Sequence, residues 1–150
     1  MSEAEFDVFA ERIIPEYAQE KVAAGDWPIV EADRKSRAEF VKHLPSGLAT
    51  PGHHFFTITD PGNANVGTLW LSEQDSGGRQ TAFIYDLFIE PPQRRQGYAR
   101  DAMLASEPIA RELGLREMSL HAFGHNQAAI ALYQSLGFRI TDVEMAKKLG

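Results

Sequence analysis

The chain has 150 residues, the size of one ordinary domain, and its lack of cysteine excludes disulfides, thiolate nucleophiles and cysteine-based metal sites. Hydrophobic residues at 43% and charged residues at 24% give a globular balance. The net charge of −6, with no Lys/Arg run, argues against a nucleic-acid partner. No apolar run approaches about 18 residues, and the start, MSEAEFDVF, lacks a cationic region followed by an apolar one, so a single cytoplasmic domain with neither leader nor membrane span is expected.

Ser2 and Glu5 have the S-x-x-E spacing of a capping box, and Phe6, Phe9, Ile13 and Tyr17 follow at helical spacing. The chain therefore opens on a helix, with a kink or fresh start expected at Pro15 and an end near Ala24, before the break at Gly25-Asp26-Trp27-Pro28. A second helix is expected over 29–44, with Val30, Arg37, Phe40, Val41 and Leu44 near one face. Pro45-Ser46-Gly47 and Pro51-Gly52 then bound a loop, and the period changes to that of strands over 54–59, 66–71 and 81–89. Asp60-Pro61-Gly62-Asn63 and Asp75-Ser76-Gly77-Gly78 carry turn chemistry, so these should be three antiparallel strands. A helix over 97–113 ending at Gly114, a strand over 118–123, a helix over 126–136 ending at Gly137 and a last strand over 138–149 complete the pattern. The fold class is α/β (α+β), a mixed, mostly antiparallel central sheet flanked by helices.

The stretch richest in chemistry is residues 83–99, where an apolar strand runs through Arg94-Arg95-Gln96-Gly97 straight into a helix. The first N–H groups of a helix have no internal partner and sit at the positive end of its dipole, which suits a phosphate or pyrophosphate. Gly97 permits close backbone approach, Arg94 and Arg95 add charge, and Ala99 keeps the first turn open. An ordinary strand-to-helix turn with solvated arginines reads equally well from these residues alone. Neither G-x-x-x-x-G-K-[ST] nor G-x-G-x-x-G is present, which disfavours a nucleotide-binding protein.

A second stretch, His125-Asn126-Gln127-Ala128-Ala129-Ile130-Ala131-Leu132-Tyr133-Gln134-Ser135-Leu136-Gly137-Phe138, decides between these readings. The chain resembles the GNAT superfamily of acyl-CoA-dependent N-acyltransferases: Arg94-Arg95-Gln96-Gly97-Tyr98-Ala99 is similar to its Q/R-x-x-G-x-G/A signature, and residues 126–138 to its N-x-x-A-x-x-L-Y-x-x-x-G-F motif. The resemblance covers residues 66–149, Met145-Ala146-Lys147-Lys148-Leu149 included. It implies acetyl-CoA as cosubstrate, an amine as acceptor and no metal. It also implies that the backbone at Phe88 and Ile89 pairs with the pantetheine arm, that the N–H groups from Arg95 through Gln96, Gly97, Tyr98 and Ala99 to Arg100 hold the pyrophosphate beside Arg94, that Asn126 holds the arm or orders the site, and that Tyr133 faces the thioester sulfur. An ammonium with a pKa of about 10.4 is neutral in only about one molecule per few thousand at pH 7, so a proton acceptor is needed. Attack on the carbonyl builds an oxyanion, and the departing thiolate needs a proton. Direct transfer with no acyl-enzyme is expected.

Each residue also has a plainer reading. Tyr133 shares a helix face with Ala129, Ile130 and Leu136 and could be core, and Asn126 could be only the helix cap. For the base, Asp86 is the first candidate, on one strand face between Ile84 and Phe88, with His121 next and Glu90 or Glu73 behind. Trp27, Trp70, Phe55 and Phe56 read as acceptor pocket or as core, and His53 and His54 as surface. The family usually begins with a strand before its first helix, whereas here the helix signal starts at Ser2: either that strand is absent or the true start lies upstream, and its loss would leave the strand over 54–59 as an edge open to pairing or to homodimer formation. Pro108 should kink its helix without disturbing the turn at Gly97. A catalytically silent acyl-CoA-binding regulatory module is the alternative to an enzyme.

Overall fold

A computed structural model describes residues 1–150. Helix α1 (Glu3–Ala23) starts with the reciprocal capping box: the Ser2 hydroxyl accepts from the Glu5 amide, and the Ser2 amide donates to Glu5. It runs through Pro15 as one element. The proline and Glu11, whose carbonyl loses its donor, are both exposed, so water satisfies that oxygen and no fresh start is required. Helix α2 (Ile29–His43) packs on α1 through the small buried residues Ala32 and Ser36, the Ser36 hydroxyl donating to the Ile14 carbonyl at 2.6 Å. Of the face expected, Phe40 and Leu44 do pack into the core, whereas Val30 and Val41 are solvent-exposed, because close approach of two helices selects small side chains over branched ones.

Strands β1 (His53–Thr59), β2 (Asn65–Ser76) and β3 (Arg79–Ile89) form an antiparallel meander, and β4 (Glu117–Leu120) adds parallel to β3, giving the order β1-β2-β3-β4. The β2–β3 turn places Gly77 and Gly78 at φ +64° and +85°, the paired left-handed conformation that a two-residue hairpin requires. Helix α3 (Tyr98–Glu112) continues past Pro108, whose missing bond falls at the exposed Leu104, so again the proline lies on the solvent side. Helix α4 (Gln127–Ser135) follows a β4 shorter than expected: residues 121–123 are not paired.

β2 is covered on both faces. Leu69 and Leu71 pack with Ala82, Ile84, Met103, Ala110 and Leu115 under α3, while Trp70 joins Phe6, Phe9, Leu44 and Phe55 under α1 and α2. Leu71 is fully buried, a position where truncation to alanine costs about 2–5 kcal/mol.

Two features depart from the alternation read in the sequence. Trp70 pairs with Asp86 but Leu71 with Ile84, so Tyr85 is an extra residue in β3, a β-bulge. The bulge breaks the expected Ile84, Asp86, Phe88 face: Ile84 joins the α3 side, whereas Tyr85 stacks on Trp70 and Asp86 meets α1. The last strand expected over 138–149 is also not formed. After Phe138, whose amide donates to the Tyr133 carbonyl, residues 139–150 are exposed and take part in no backbone hydrogen bond. Strand-like composition makes a strand only where a neighbouring strand supplies partners, and within the chain none does.

Candidate active site

β3 pairs with β4 only from Thr81 to Ile84, and from Tyr85 onward β3 keeps β2 alone. The two parallel strands part there, and a cleft of about 980 Å³ opens between the β3 end, the turn into α3, α4, and the α1/α2 layer.

One end of the cleft is a set of unpaired amides. β3 passes through a single 3-10 turn (Pro91–Gln93) into Arg94, Arg95 at φ +63° and Gly97 at φ +91°. From Arg95 to Arg100 no backbone amide has a hydrogen-bond acceptor in the chain, the first bond of α3 being Asp101 to the Gly97 carbonyl. Six consecutive unpaired donors at a helix start, flanked by Arg94, Arg95 and Arg100, match a pyrophosphate in charge and hydrogen-bonding character. Only Gln96 of this run stands off the wall, its amide nitrogen bonded to the Pro92 carbonyl. Arg100 also reaches the Ser135 hydroxyl at 3.3 Å, tying α3 to α4.

Along the wall, Ile89 faces the open edge, but its carbonyl is occupied by Arg94 Nε at 2.8 Å. Phe88 differs from expectation: its carbonyl lies against Gly67 of β2, so by alternation Leu87 and Ile89, not Phe88, turn their backbone groups to the open edge. The Phe88 ring is held between two guanidiniums, Arg12 at 3.9 Å and Arg94 at 5.5 Å.

At mid-cleft stand Tyr133 and Asp86. Tyr133 projects from α4 and its ring meets Phe138 edge-on at 5.9 Å. Burial, and then the nearby Asp86 charge, push its hydroxyl above the ordinary tyrosine range, so it keeps its proton at neutral pH. Asp86 is engaged: Arg12 Nη2 donates to its Oδ2 at 2.6 Å and to the Thr68 hydroxyl at 3.1 Å, while Nη1 holds Glu16 at 2.6 Å. Burial pushes the Asp86 carboxyl up, and the Arg12 guanidinium pulls against it. Asn126 caps α4, its Oδ1 accepting from the Ala129 amide at 3.3 Å, and still lines the cleft. Among the other base candidates, His121 lines the cleft, whereas Glu73 and Glu90 do not, Glu73 being paired with His54 at 2.8 Å.

The far end is walled by Tyr17, Phe40, His43, Trp70, Tyr85 and Phe123 with the carboxylates of Glu16, Glu20 and Glu39. Of the aromatic candidates only Trp70 lines this cleft: Trp27 stacks edge-on with Tyr17, Phe55 is core, and Phe56 faces a separate groove beside α3. His125 meets Glu20 at 2.6 Å, joining the loop before α4 to α1. Arg12 was absent from the sequence candidates, although a charge three residues after Phe9 lies on the buried side of α1.

A sheet that parts at mid-length, with a helix start rich in free amides beside the gap, is the arrangement that the resemblance to acyl-CoA-dependent transferases implies. The sequence profile described as Acetyltransferase (GNAT) family matches residues 15–138, and the chain belongs to that family, whose members use acetyl-CoA. It is 42% identical over 149 residues to the uncharacterized N-acetyltransferase YycN of Bacillus subtilis, covering 99% of this chain and 96% of that protein. The crystal structure of YycN superposes with a TM-score of 0.94 over 99% of this chain and 95% of that one. The uncharacterized N-acetyltransferase YdgE of the same organism is 33% identical, covering 99% and 95%. The fold, at 20% identity and a TM-score of 0.57, is also that of AAC(6')-Iy in complex with the bisubstrate analogue CoA-S-monomethyl-acetylneamine, over 77% of this chain and 79% of that one. No helix is long and apolar enough to cross a membrane.

Proposed function

We propose that the chain transfers acetyl from acetyl-CoA directly to a primary amine in a ternary complex. The observation that carries this reading is the continuity of the cleft from the free amides of Arg95 to Arg100, past Tyr133, to a wall of carboxylates. The pyrophosphate sits on the α3 start with Arg94, Arg95 and Arg100 around it. The pantetheine arm adds to β3 at Leu87 and Ile89 like an extra strand. The acceptor enters at the other end, where Glu16, Glu20 and Glu39 favour a cationic ammonium over an anion. Direct attack of the neutral amine on the thioester carbonyl forms the C–N bond and breaks the C–S bond. Tyr133, protonated and close to Asp86, supplies the proton to the leaving thiolate. Asp86, fixed by Arg12, takes the amine proton through water and sets the field around Tyr133.

The test begins with the anion end. Arg95→Glu with Gly97→Asp places two negative charges against the pyrophosphate and gives up the left-handed glycine. Acetyl-CoA binding followed by calorimetry should fall below detection with the fold intact by circular dichroism; unchanged affinity would remove the anion assignment. A screen of small primary amines and lysine peptides for thiol release then identifies the acceptor, and release from no amine would overturn the amine half of the proposal.

A further inference from the structure

The C-terminal arm and the sheet each carry a half-finished surface. Residues 139–150 leave the body after Phe138 with Ile140, Val143, Met145 and Leu149 exposed by 59%, 64%, 89% and 93%. Their backbone groups make no hydrogen bond to any other backbone group of the chain, the Val143 amide meeting only the neighbouring Asp142 side chain. At the other end of the sheet, β4 pairs with β3 along one edge only, and its second edge is bare. Beside it α4 has no buried residue, although it reads Ala-Ile-Ala-Leu-Tyr through its middle. An extended segment without partners gives up conformational entropy with nothing to offset it, and a bare apolar strand edge is a template for another strand.

The arm nonetheless keeps one course. The 138 residues up to Phe138 could by themselves account for at most 138/150, or 0.92, of a perfect superposition, below the 0.94 found with the YycN crystal structure. At least part of the arm is therefore superposed along with the body, so a crystallised relative at 42% identity carries it along the same course. An arm held in place away from its own chain lies on something else.

We infer that this something is a second copy of the chain: the arm of each protomer pairs with the β4 edge of the other and covers its α4, in a two-fold, arm-exchanged dimer. The chemistry of the two halves agrees. Strand-like residues meet a strand edge, apolar side chains meet the half-covered α4, and the same two surfaces occur once on every copy, as a closed two-fold requires. At about 3.3 Å per residue, the 12 residues past Phe138 reach about 40 Å, enough to cross a neighbouring protomer. The inference stands apart from the catalytic proposal, although α4 carries Tyr133 and arm exchange would place one protomer's tail over the other's catalytic helix.

Sedimentation equilibrium of the full chain tests it. A mass near 33 kDa, twice the 16.7 kDa chain, is expected across micromolar concentrations. Deleting residues 140–150, or replacing the exposed Val143 and Met145 by aspartate, should return the mass to that of one chain. The point variants change side chains that are mostly exposed in their own protomer, so a retained circular dichroism spectrum keeps the result from being a folding failure. A full chain that sediments as a monomer would overturn the proposal, since the arm would then lie free or fold back on its own sheet. A dimer that persists after deletion would overturn it too, by placing the interface elsewhere.

Discussion

Arg12 is the residue on which the centre of the site turns: one guanidinium reaches Asp86, Thr68 and Glu16 and covers the face of Phe88. The Arg12 and Asp86 side chains are 16% and 17% exposed, so replacing Asp86 by asparagine leaves a half-desolvated cation without its main counter-charge. A loss of about 2–4 kcal/mol of stability is expected, read by denaturant melts. The same substitution removes one of the two causes that hold the Tyr133 hydroxyl above its usual range, leaving burial alone. The alkaline limb of the rate profile should therefore begin at lower pH in Asp86→Asn than in the parent, and an unmoved limb would separate Tyr133 from Asp86 electrically. Tyr133→Phe removes the acid itself. Turnover should drop by roughly 10²- to 10⁴-fold with acetyl-CoA affinity nearly unchanged, and a parental rate would return this tyrosine to the core.

At the scale of elements, what could be read from the sequence was what is local. The Ser2 capping box, the Gly77-Gly78 hairpin, the glycine-started α3 and the α4 cap at Asn126 are each decided by residues within four positions of one another. The Arg12–Asp86 pair joins residues 74 apart, and no window of sequence contains both. The bulge at Tyr85 was equally hidden, because an extra residue in a strand leaves no mark on composition while moving every later side chain to the opposite face. The arm at 138–150 misled for the converse reason: its pattern is that of a strand, and its partner is not in its own sheet. The β2–β3 pair also carries a constraint on the cleft. A methyl group on Gly67 would overlap the Phe88 carbonyl oxygen and press on Ile89, so Gly67→Ala must push the end of β3 away from β2. Since Leu87 and Ile89 present their backbone there, acetyl-CoA affinity should fall about tenfold or more, equivalent to about 1.4 kcal/mol or above. Gly77→Ala is the control. It meets no atom, and its cost is confined to the φ of +64°, about 1 kcal/mol of stability with affinity unaltered.

Over the whole molecule, charge is distributed along the cleft, arginines at the α3 start and carboxylates on the α1/α2 wall, and the aromatic stack under that wall responds to acid. Trp70 and Tyr85 stack at 4.4 Å, and the Trp70 indole donates to Nδ1 of His53 at 3.0 Å. That bond requires Nδ1 to be without a proton. Burial, followed by the charges of His43 and His54, holds the His53 pKa below its usual value. Near pH 6.5 the unfolded chain thus binds more protons at this position than the folded one, so stability from His53 is complete above the unfolded value and is lost as pH falls through the lower, folded value. Melting temperature should decline as buffer is taken from pH 7 to 5. His53→Gln keeps an acceptor for the indole but cannot be protonated, so it should melt with a shallower pH dependence over that interval, the remainder coming near its acid end from carboxylates held below their usual value, such as Glu5 and Glu31. Equal slopes for parent and variant would show that the ring takes up its proton in the native state as readily as in the unfolded chain, and that the indole bond to Nδ1 does not hold the stack under the acceptor wall.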